Sequence, residues 1–409
     1  MDLQLNKSVL KSGENITISG SKSESNRLLI LQQLFPEISI DNLSNSDDTV
    51  HLQHALTSDE EAVDIGHAGT AMRFLTAFFA SQKGKTKVLR GSDRMHNRPI
   101  QILVDALHDL GADIEYVEKE GYPPLKISGK EFSKSKVSIN GNVSSQYISA
   151  LLLIAPSLPN GLEINLVGKI TSIPYIKMTL SLLHQIGIEA NFEESKITIK
   201  PKGKTERHTI LVEADWSSAS YFYSLIALSE VSSEITLSAY KKESLQGDHC
   251  LADIYEHFGV ETTFEKNTIH LKKNARHHKE TLVLDLKNAP DIAQTIAVTC
   301  FGLGVSCNLS GLHTLKIKET DRLEALKTEL TKLGADISVT DESLCLKESK
   351  EIKKNVLIAT YNDHRMAMAF APLAIKKAII ILDAEVVTKS YRNFWEDFQK
   401  VGIQQAKIK

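Results

Sequence analysis

The chain has 409 residues, of which 42% are hydrophobic and 24% charged, and a formal net charge of −3. That length exceeds what one hydrophobic core usually covers, so two soluble globular domains are expected. The charge excludes a dedicated nucleic-acid binder, and any anion site must come from local clustering of basic side chains.

The stretch MDLQLNKSVL lacks the apolar segment of a signal peptide, and no run approaches 18 apolar residues. A cytoplasmic protein without membrane association is therefore expected. Cys250, Cys300, Cys307 and Cys345 are too few and too scattered for a disulfide framework, and they read as small buried apolar residues. His51 with His54, and His277 with His278, have no partner ligands at metal-binding spacing, so neither a metal nor another cofactor is expected.

In chain order, the first informative stretch is Ser19 to Arg27, SGSKSESNR, which runs directly into LLILQQLF. Polar caps ahead of an apolar run mark a helix N-terminus, where free N–H groups and the helix dipole favour an anion. The stretch fits a phosphate or carboxylate cradle, and equally a serine-rich linker capping an ordinary helix. Helices that are apolar nearly all round follow from Gly69, Ser144, Ser217, Asp291 and Asp363, their starts 75, 73, 74 and 72 residues apart. Such helices belong at the centre of a domain.

A second series keeps step with the first. Gly111, Gly187, Gly259 and Gly334, spaced by 76, 72 and 75 residues, each follow an amphipathic helical stretch and precede two short strands. The glycines sit where helix C-caps are expected. The chain thus reads as six repeats of two helices and several strands, three per domain. Only 46 residues separate Ser23 from Gly69, so the first repeat is short by about 27 residues against the repeat period. The last repeat ends at VGIQQAKIK without a second strand, which the N-terminal strand could supply. Residues 1–20 and 214–409 would then form one domain, and 21–213 an inserted one.

Polar residues gather at the same phase of each repeat, just ahead of the apolar helices. Serine and aspartate there can be simple caps, as in DRLE at Asp321 to Glu324. Capping does not explain Lys22, Arg27, Arg98, Lys318, Arg322, Arg365 and Lys389, because a cation at a helix N-terminus opposes the dipole unless an anion is present. Two sets of helix N-termini facing each other would form an anion-attracting cleft.

SGSKSESNR, GHAGTAMR, RMHNRPI, VSSQY, IKETDR, TYNDHRMAM and TKSY, in this order over nearly the whole chain, resemble the signature segments of the 5-enolpyruvylshikimate-3-phosphate (EPSP) synthase family. The resemblance implies an α/β fold: a two-domain inside-out α/β barrel of six βαβαββ units, with the active site in the interdomain cleft. It implies transfer of the enolpyruvyl group of phosphoenolpyruvate to the 5-hydroxyl of shikimate 3-phosphate by a monomeric enzyme without cofactor.

By the same resemblance, Lys22, Ser23, Arg27, Ser144, Ser145, Gln146, Ser172, Asp291 and Lys318 hold shikimate 3-phosphate. Lys22, Gly69, Arg98, Gln146, Arg322, Arg365 and Lys389 hold phosphoenolpyruvate, and Asp291, Glu319 and Lys22 are catalytic. His67, Phe74, Thr314 and Arg392 depart from the family pattern, which leaves one substrate hydrogen bond, expected where Thr314 stands, and the response to glyphosate open. Two alternatives remain. A UDP-N-acetylglucosamine enolpyruvyl transferase would read Lys-Asn at Lys22-Ser23 and usually carries a reactive loop cysteine. A non-catalytic anion-binding repeat protein would have lost Asp291, Glu319 or Lys22, and all three are present.

Overall fold

The computed structural model describes residues 1–170, 173–276, 279–349 and 351–408. Ser172 and the pair His277 and His278 lie outside the described residues. The chain forms two compact lobes: a terminal lobe of Met1–Ser19 with Glu213–Lys409, and an inserted lobe of Gly20–Val212. Where the chain enters the inserted lobe, a Cβ on Gly20 would lie 2.0 Å from the Asn42 carbonyl oxygen, so only glycine fits there.

Each repeat contributes one sheet. In the inserted lobe, Ala62–Asp64 pairs in parallel with Thr86–Arg90, which continues antiparallel into Leu125–Ser128 and Asp113–Tyr116. The next sheet repeats that order with Lys136–Asn140, Leu162–Val167, Lys196–Ile199 and Ala190–Glu193. The first repeat keeps only the parallel pair, Ile38–Asp41 with His208–Leu211. Its missing residues are the antiparallel hairpin.

The terminal lobe has three complete sheets. Glu14–Thr17 pairs in parallel with Glu234–Ser238, and Leu282–Asp285 with Cys307–Ser310. In the third, Val356–Ile358 lies parallel to Ile379–Ile381, and the hairpin place is filled by Leu3–Leu5, paired antiparallel to both Ile379–Ile381 and Gln405–Lys407. Strand residues alternate as a half-buried sheet requires: in Leu162–Val167, Leu162, Ile164 and Leu166 face inward. The same alternation corrects part of the expectation for the cysteines. Cys300 and Cys307 are buried, but Cys345 is exposed because Leu344 and Leu346 take the inward positions of its strand, and Cys250 is half-buried.

Helices that are apolar nearly all round occupy the centres. Every residue of Trp216–Leu228 is buried, as are nearly all of Gly69–Ala80, Ser145–Ile154 and Ala293–Leu303. The helix His364–Phe370 is short because Pro372 converts its continuation, Ala371–Ile375, into a 3-10 turn. The outer helices Gln101–Leu110 and Arg322–Leu333 end on Gly111 and Gly334, whose φ values of 103° and 109° lie in the left-handed region. Among the described residues, no helix is long and apolar enough to cross a membrane.

Because Leu5 is fully buried in a strand flanked on both edges, Leu5→Ala should cost about 2–5 kcal/mol. Urea unfolding followed by circular dichroism would measure it, and a cost near zero would contradict a structural role for the Leu3–Leu5 strand.

Candidate active site

In the inserted lobe, the polar residues lie at the starts of the three central helices. Lys22–Leu34 opens on Lys22, whose Nζ is 3.4 Å from Asp48 Oδ2. One turn on, Arg27 is buried and donates from Nε to Thr179 Oγ1 at 2.8 Å, from Nη1 to the Ser23 carbonyl at 2.7 Å and from Nη2 to Ser149 Oγ at 2.9 Å. Its guanidinium lies over the Phe74 ring, 5.4 Å from the centroid, and burial pulls its pKa down to about 10. Phe74, one of the departures from the family pattern, therefore packs against the arginine of the opening motif. Two N–H protons of Arg27 remain beyond these three bonds.

Gly69 opens the helix Gly69–Ala80 against the Arg98 guanidinium: a Cβ there would come within 2.4 Å of Arg98 Nη1. Arg73 fixes this corner, donating from Nη1 to the Gly69 carbonyl at 3.1 Å and from Nη2 to the Pro99 carbonyl at 3.0 Å. Burial and then the neighbouring Arg98 charge pull Arg73 down to about 10. The Arg98 side chain itself makes no hydrogen bond or ion pair among the described residues. At the third helix start, Ser144 caps Ser145–Ile154 and accepts from the Gln146 N–H, Ser145 is buried, and Gln146 Nε2 donates to Thr70 Oγ1 at 3.1 Å. His67 Nδ1, another departure, is 2.6 Å from Ser92 Oγ.

The terminal lobe brings Asp291, Lys318, Glu319 and Arg365 into one cluster around Arg322, the first residue of Arg322–Leu333, which is 2% exposed. Its Nε donates to Asp363 Oδ2 at 2.6 Å, Nη1 to Asp291 Oδ1 at 2.9 Å and Nη2 to Glu319 Oε2 at 2.7 Å. Asp291 also faces Lys318 Nζ at 3.5 Å and Arg365 Nη2 at 3.3 Å, and Arg365 Nη1 donates to the Asp291 carbonyl. Burial alone would raise the Asp291 pKa, but Arg365, Lys318 and Arg322 outweigh it and hold the carboxyl well below its usual range. Burial opposes the charge on Arg365, yet Asp291 and its neighbours hold that guanidinium firmly protonated.

Lys389 stands beside this group, its Nζ donating to the Asn362 carbonyl at 2.7 Å. The Thr314 hydroxyl oxygen is buried without a hydrogen-bond partner among the described residues.

Sequence reasoning missed the residues that hold these groups in place. Asp363 caps His364–Phe370, accepting from the Arg365 N–H at 2.8 Å while its other oxygen takes Arg322. Arg73, Thr70 and Asp363 stand inside the motifs GHAGTAMR and TYNDHRMAM, so the signal was present without a role attached. In the terminal lobe, the anions that accompany the helix-start cations are the protein's own carboxylates, which the dipole argument from sequence did not anticipate.

The family model for EPSP synthase (3-phosphoshikimate 1-carboxyvinyltransferase) matches residues 51–398. The chain belongs to the EPSP synthase family. A 3-phosphoshikimate 1-carboxyvinyltransferase of Bacteroides fragilis is 46% identical over 394 residues, covering 95% of each chain. One from Haemophilus influenzae is 36% identical over 424 residues, covering 95% of this chain and 96% of its own. Among solved structures, EPSP synthase from Acinetobacter baumannii superposes with a TM-score of 0.84 at 20% identity over 99% of both chains. The enolpyruvyl transferase NikO from Streptomyces tendae gives 0.73 at 12% identity, over 99% of this chain and 98% of its own. The superposition over nearly the whole chain is that of the two-domain enolpyruvyl transferase fold.

Removing one partner of a buried ion pair strands the other charge. Asp363→Ala should therefore destabilise the terminal lobe by about 3–5 kcal/mol, measured by urea unfolding. A loss below about 1 kcal/mol, the level of an exposed pair, would show that the Arg322 cluster is not a buried one.

Proposed function

We propose that this chain transfers the enolpyruvyl group of phosphoenolpyruvate to the 5-hydroxyl of shikimate 3-phosphate, releasing phosphate. Family membership supports the activity, and the carrying observation in the structure is Asp291, a carboxylate kept ionised among Arg322, Arg365 and Lys318. The two substrates together bring about six negative charges, counting about two per phosphate. Seven lysines and arginines at the helix starts suit that load.

In this reading Lys22, Ser23, Arg27, Ser144, Ser145, Gln146, Ser172, Asp291 and Lys318 hold shikimate 3-phosphate. Arg322 and Arg365 bind the phosphoenolpyruvate carboxylate with their planar forks. Arg98, Lys389 and Gln146 take its phosphate, Lys22 touches both substrates, and Gly69 leaves the space beside Arg98 open. The absence of any intramolecular partner for the Arg98 side chain among the described residues supports that assignment.

The reaction is an addition followed by an elimination. The 5-oxygen bonds to C2 of phosphoenolpyruvate as its proton goes to Asp291, and the methylene carbon takes the proton of Glu319 in its acid form, assisted by Lys22. The tetrahedral adduct then returns a carbon proton to Glu319 as the C2–O bond to phosphate breaks, and the proton held by Asp291 leaves with the phosphate. Both carboxylates bond to Arg322; Asp291 also faces Lys318 and Arg365, and Glu319 is a third exposed. A substrate carboxylate that draws on Arg322 and Arg365 would relax their hold on Asp291 and make it a better base.

Purified protein given phosphoenolpyruvate and shikimate 3-phosphate should release phosphate, and release only with UDP-N-acetylglucosamine as acceptor would refute the reading. Asp291→Ala and Glu319→Ala should each lower kcat by about 10²–10⁴ with smaller changes in KM. Near-normal turnover in either would remove that residue from the chemistry. Gly69→Ala should push Arg98 aside and raise the KM for phosphoenolpyruvate about tenfold or more, consistent with the loss of a charge-assisted contact. An unchanged KM would sever Arg98 from that substrate.

A further inference from the structure

Beyond the residues already assigned, a carboxylate reaches the Arg322 cluster through a hydroxyl. Asp248 lies in the turn Gly247–Cys250, ahead of Leu251–Glu256, and is half-buried. The hydroxyl of Ser217, one residue into Trp216–Leu228, hydrogen-bonds to Asp248 Oδ2. The same hydroxyl oxygen accepts from Arg365 Nη2 at 3.2 Å. A guanidinium only donates, so Ser217 Oγ accepts from Arg365, and its own proton goes to Asp248 when that carboxyl is ionised. Arg365 is thus tethered at two points, directly to Asp291 at 3.3 Å and through Ser217 to Asp248. Ser217 and Asp248 belong to the repeat that starts at Ser217, Asp291 to the next and Arg365 to the last.

We propose that Asp248 is a positioning residue for the transfer. Through the Ser217 hydroxyl it sets the plane of the Arg365 guanidinium, and by gaining or losing a proton it sets how much of that cation's charge remains for an anionic substrate. The inference rests on the proposed role of Arg365 in binding phosphoenolpyruvate.

The groups facing Asp248 are Asp215 at the start of Trp216–Leu228, Asp291 ahead of Ala293–Leu303, Arg365 on His364–Phe370 and, on its own segment, Cys250. His249 is turned onto the Trp216 ring instead, 5.7 Å between centroids. Burial and then the Asp291 charge push the Asp248 carboxyl up to about 7, against the opposing pull of Arg365 and the Ser217 hydrogen bond. Above that pH Asp248 is ionised and offsets Arg365; below it the acid is neutral and the guanidinium faces substrate with its full charge. A substrate carboxylate arriving at Arg365 adds negative charge nearby and favours the protonated form further.

The test uses the full chain with Asp248→Ala, Asp248→Asn, Ser217→Ala and Arg365→Ala, comparing melting temperature, kcat and the KM for phosphoenolpyruvate from pH 6 to 9. Asp248→Ala and Ser217→Ala should each raise that KM about tenfold with a smaller change in kcat, consistent with the loss of one charge-assisted hydrogen bond. Asp248→Asn keeps an acceptor for Ser217 and should stay within about twofold of wild type at pH 6. The wild-type kcat/KM should fall about fivefold relative to Asp248→Asn between pH 6 and 9, since only the wild type gains a charge there. Ionisation of the substrate is common to both proteins and cancels in the ratio.

A ratio that is flat with pH, or an Asp248→Ala variant with normal KM, overturns the proposal. So does an Asp248→Asn variant that melts early and is as impaired as Asp248→Ala at every pH, because that is a purely structural role. If Arg365→Ala weakens phosphoenolpyruvate while the Asp248 variants do not, only this inference falls. If Arg365→Ala is harmless, the assignment of Arg365 falls and takes this inference with it.

Discussion

The Arg322 guanidinium, almost wholly removed from water and bonded to Asp291, Glu319 and Asp363, is the interaction on which the terminal lobe's chemistry depends. Desolvating such a charge is costly, so the cluster persists only because its geometry and partner count are both good. The order of compensation matters. Aspartates at helix starts are favourable against the dipole, as with Asp363 capping Arg365, and the cations are then held by those aspartates. Three carboxylates around Arg322 meet three cations, Arg322, Arg365 and Lys318, so the cluster is close to neutral as it stands. An incoming anion must compete with internal carboxylates for the same guanidinium protons, which ties substrate binding to the basicity of Asp291.

The inserted lobe follows the same scaffold with different electrostatics. Arg27, Arg73 and Arg98 sit at or near equivalent helix starts, but among the described residues Arg27 and Arg73 are held by hydroxyls, carbonyls and aromatic rings rather than carboxylates. Burial depresses Arg27 and Arg73, and Arg98 is left without a side-chain partner among the described residues. The helix-start arginines are thus held on carboxylates in one lobe and on neutral groups in the other, where Lys22 beside Asp48 is the carboxylate-paired cation described above, although both lobes are built from three copies of one repeat.

Much of this was legible in the sequence because period and polarity report backbone geometry. The apolar runs from Ser23, Gly69, Ser144, Ser217, Asp291 and Asp363 were readable as central helices, and the 46-residue spacing marked the repeat that lacks its hairpin. The C-terminal segment lacking a partner strand pointed to Leu3–Leu5, which does fill that place. Contacts between repeats were not legible. Arg322 meets Asp363 across 41 positions and Arg365 meets Asp291 across 74, and no periodicity encodes which side chain of one repeat reaches into the next. Cys345 shows the finer limit, since a three-residue strand offers too short an alternation to read which face an isolated cysteine takes.

The Leu3–Leu5 strand also has a consequence for how the molecule is made. Every strand of the inserted lobe exists once Leu211 has been synthesised, so that lobe can close while the chain is still growing. Leu3–Leu5 must wait for Ile379–Ile381 and Gln405–Lys407, roughly 20–80 s later at about 5–20 residues per second. During that interval an apolar segment with both edges unpaired is present on the nascent chain.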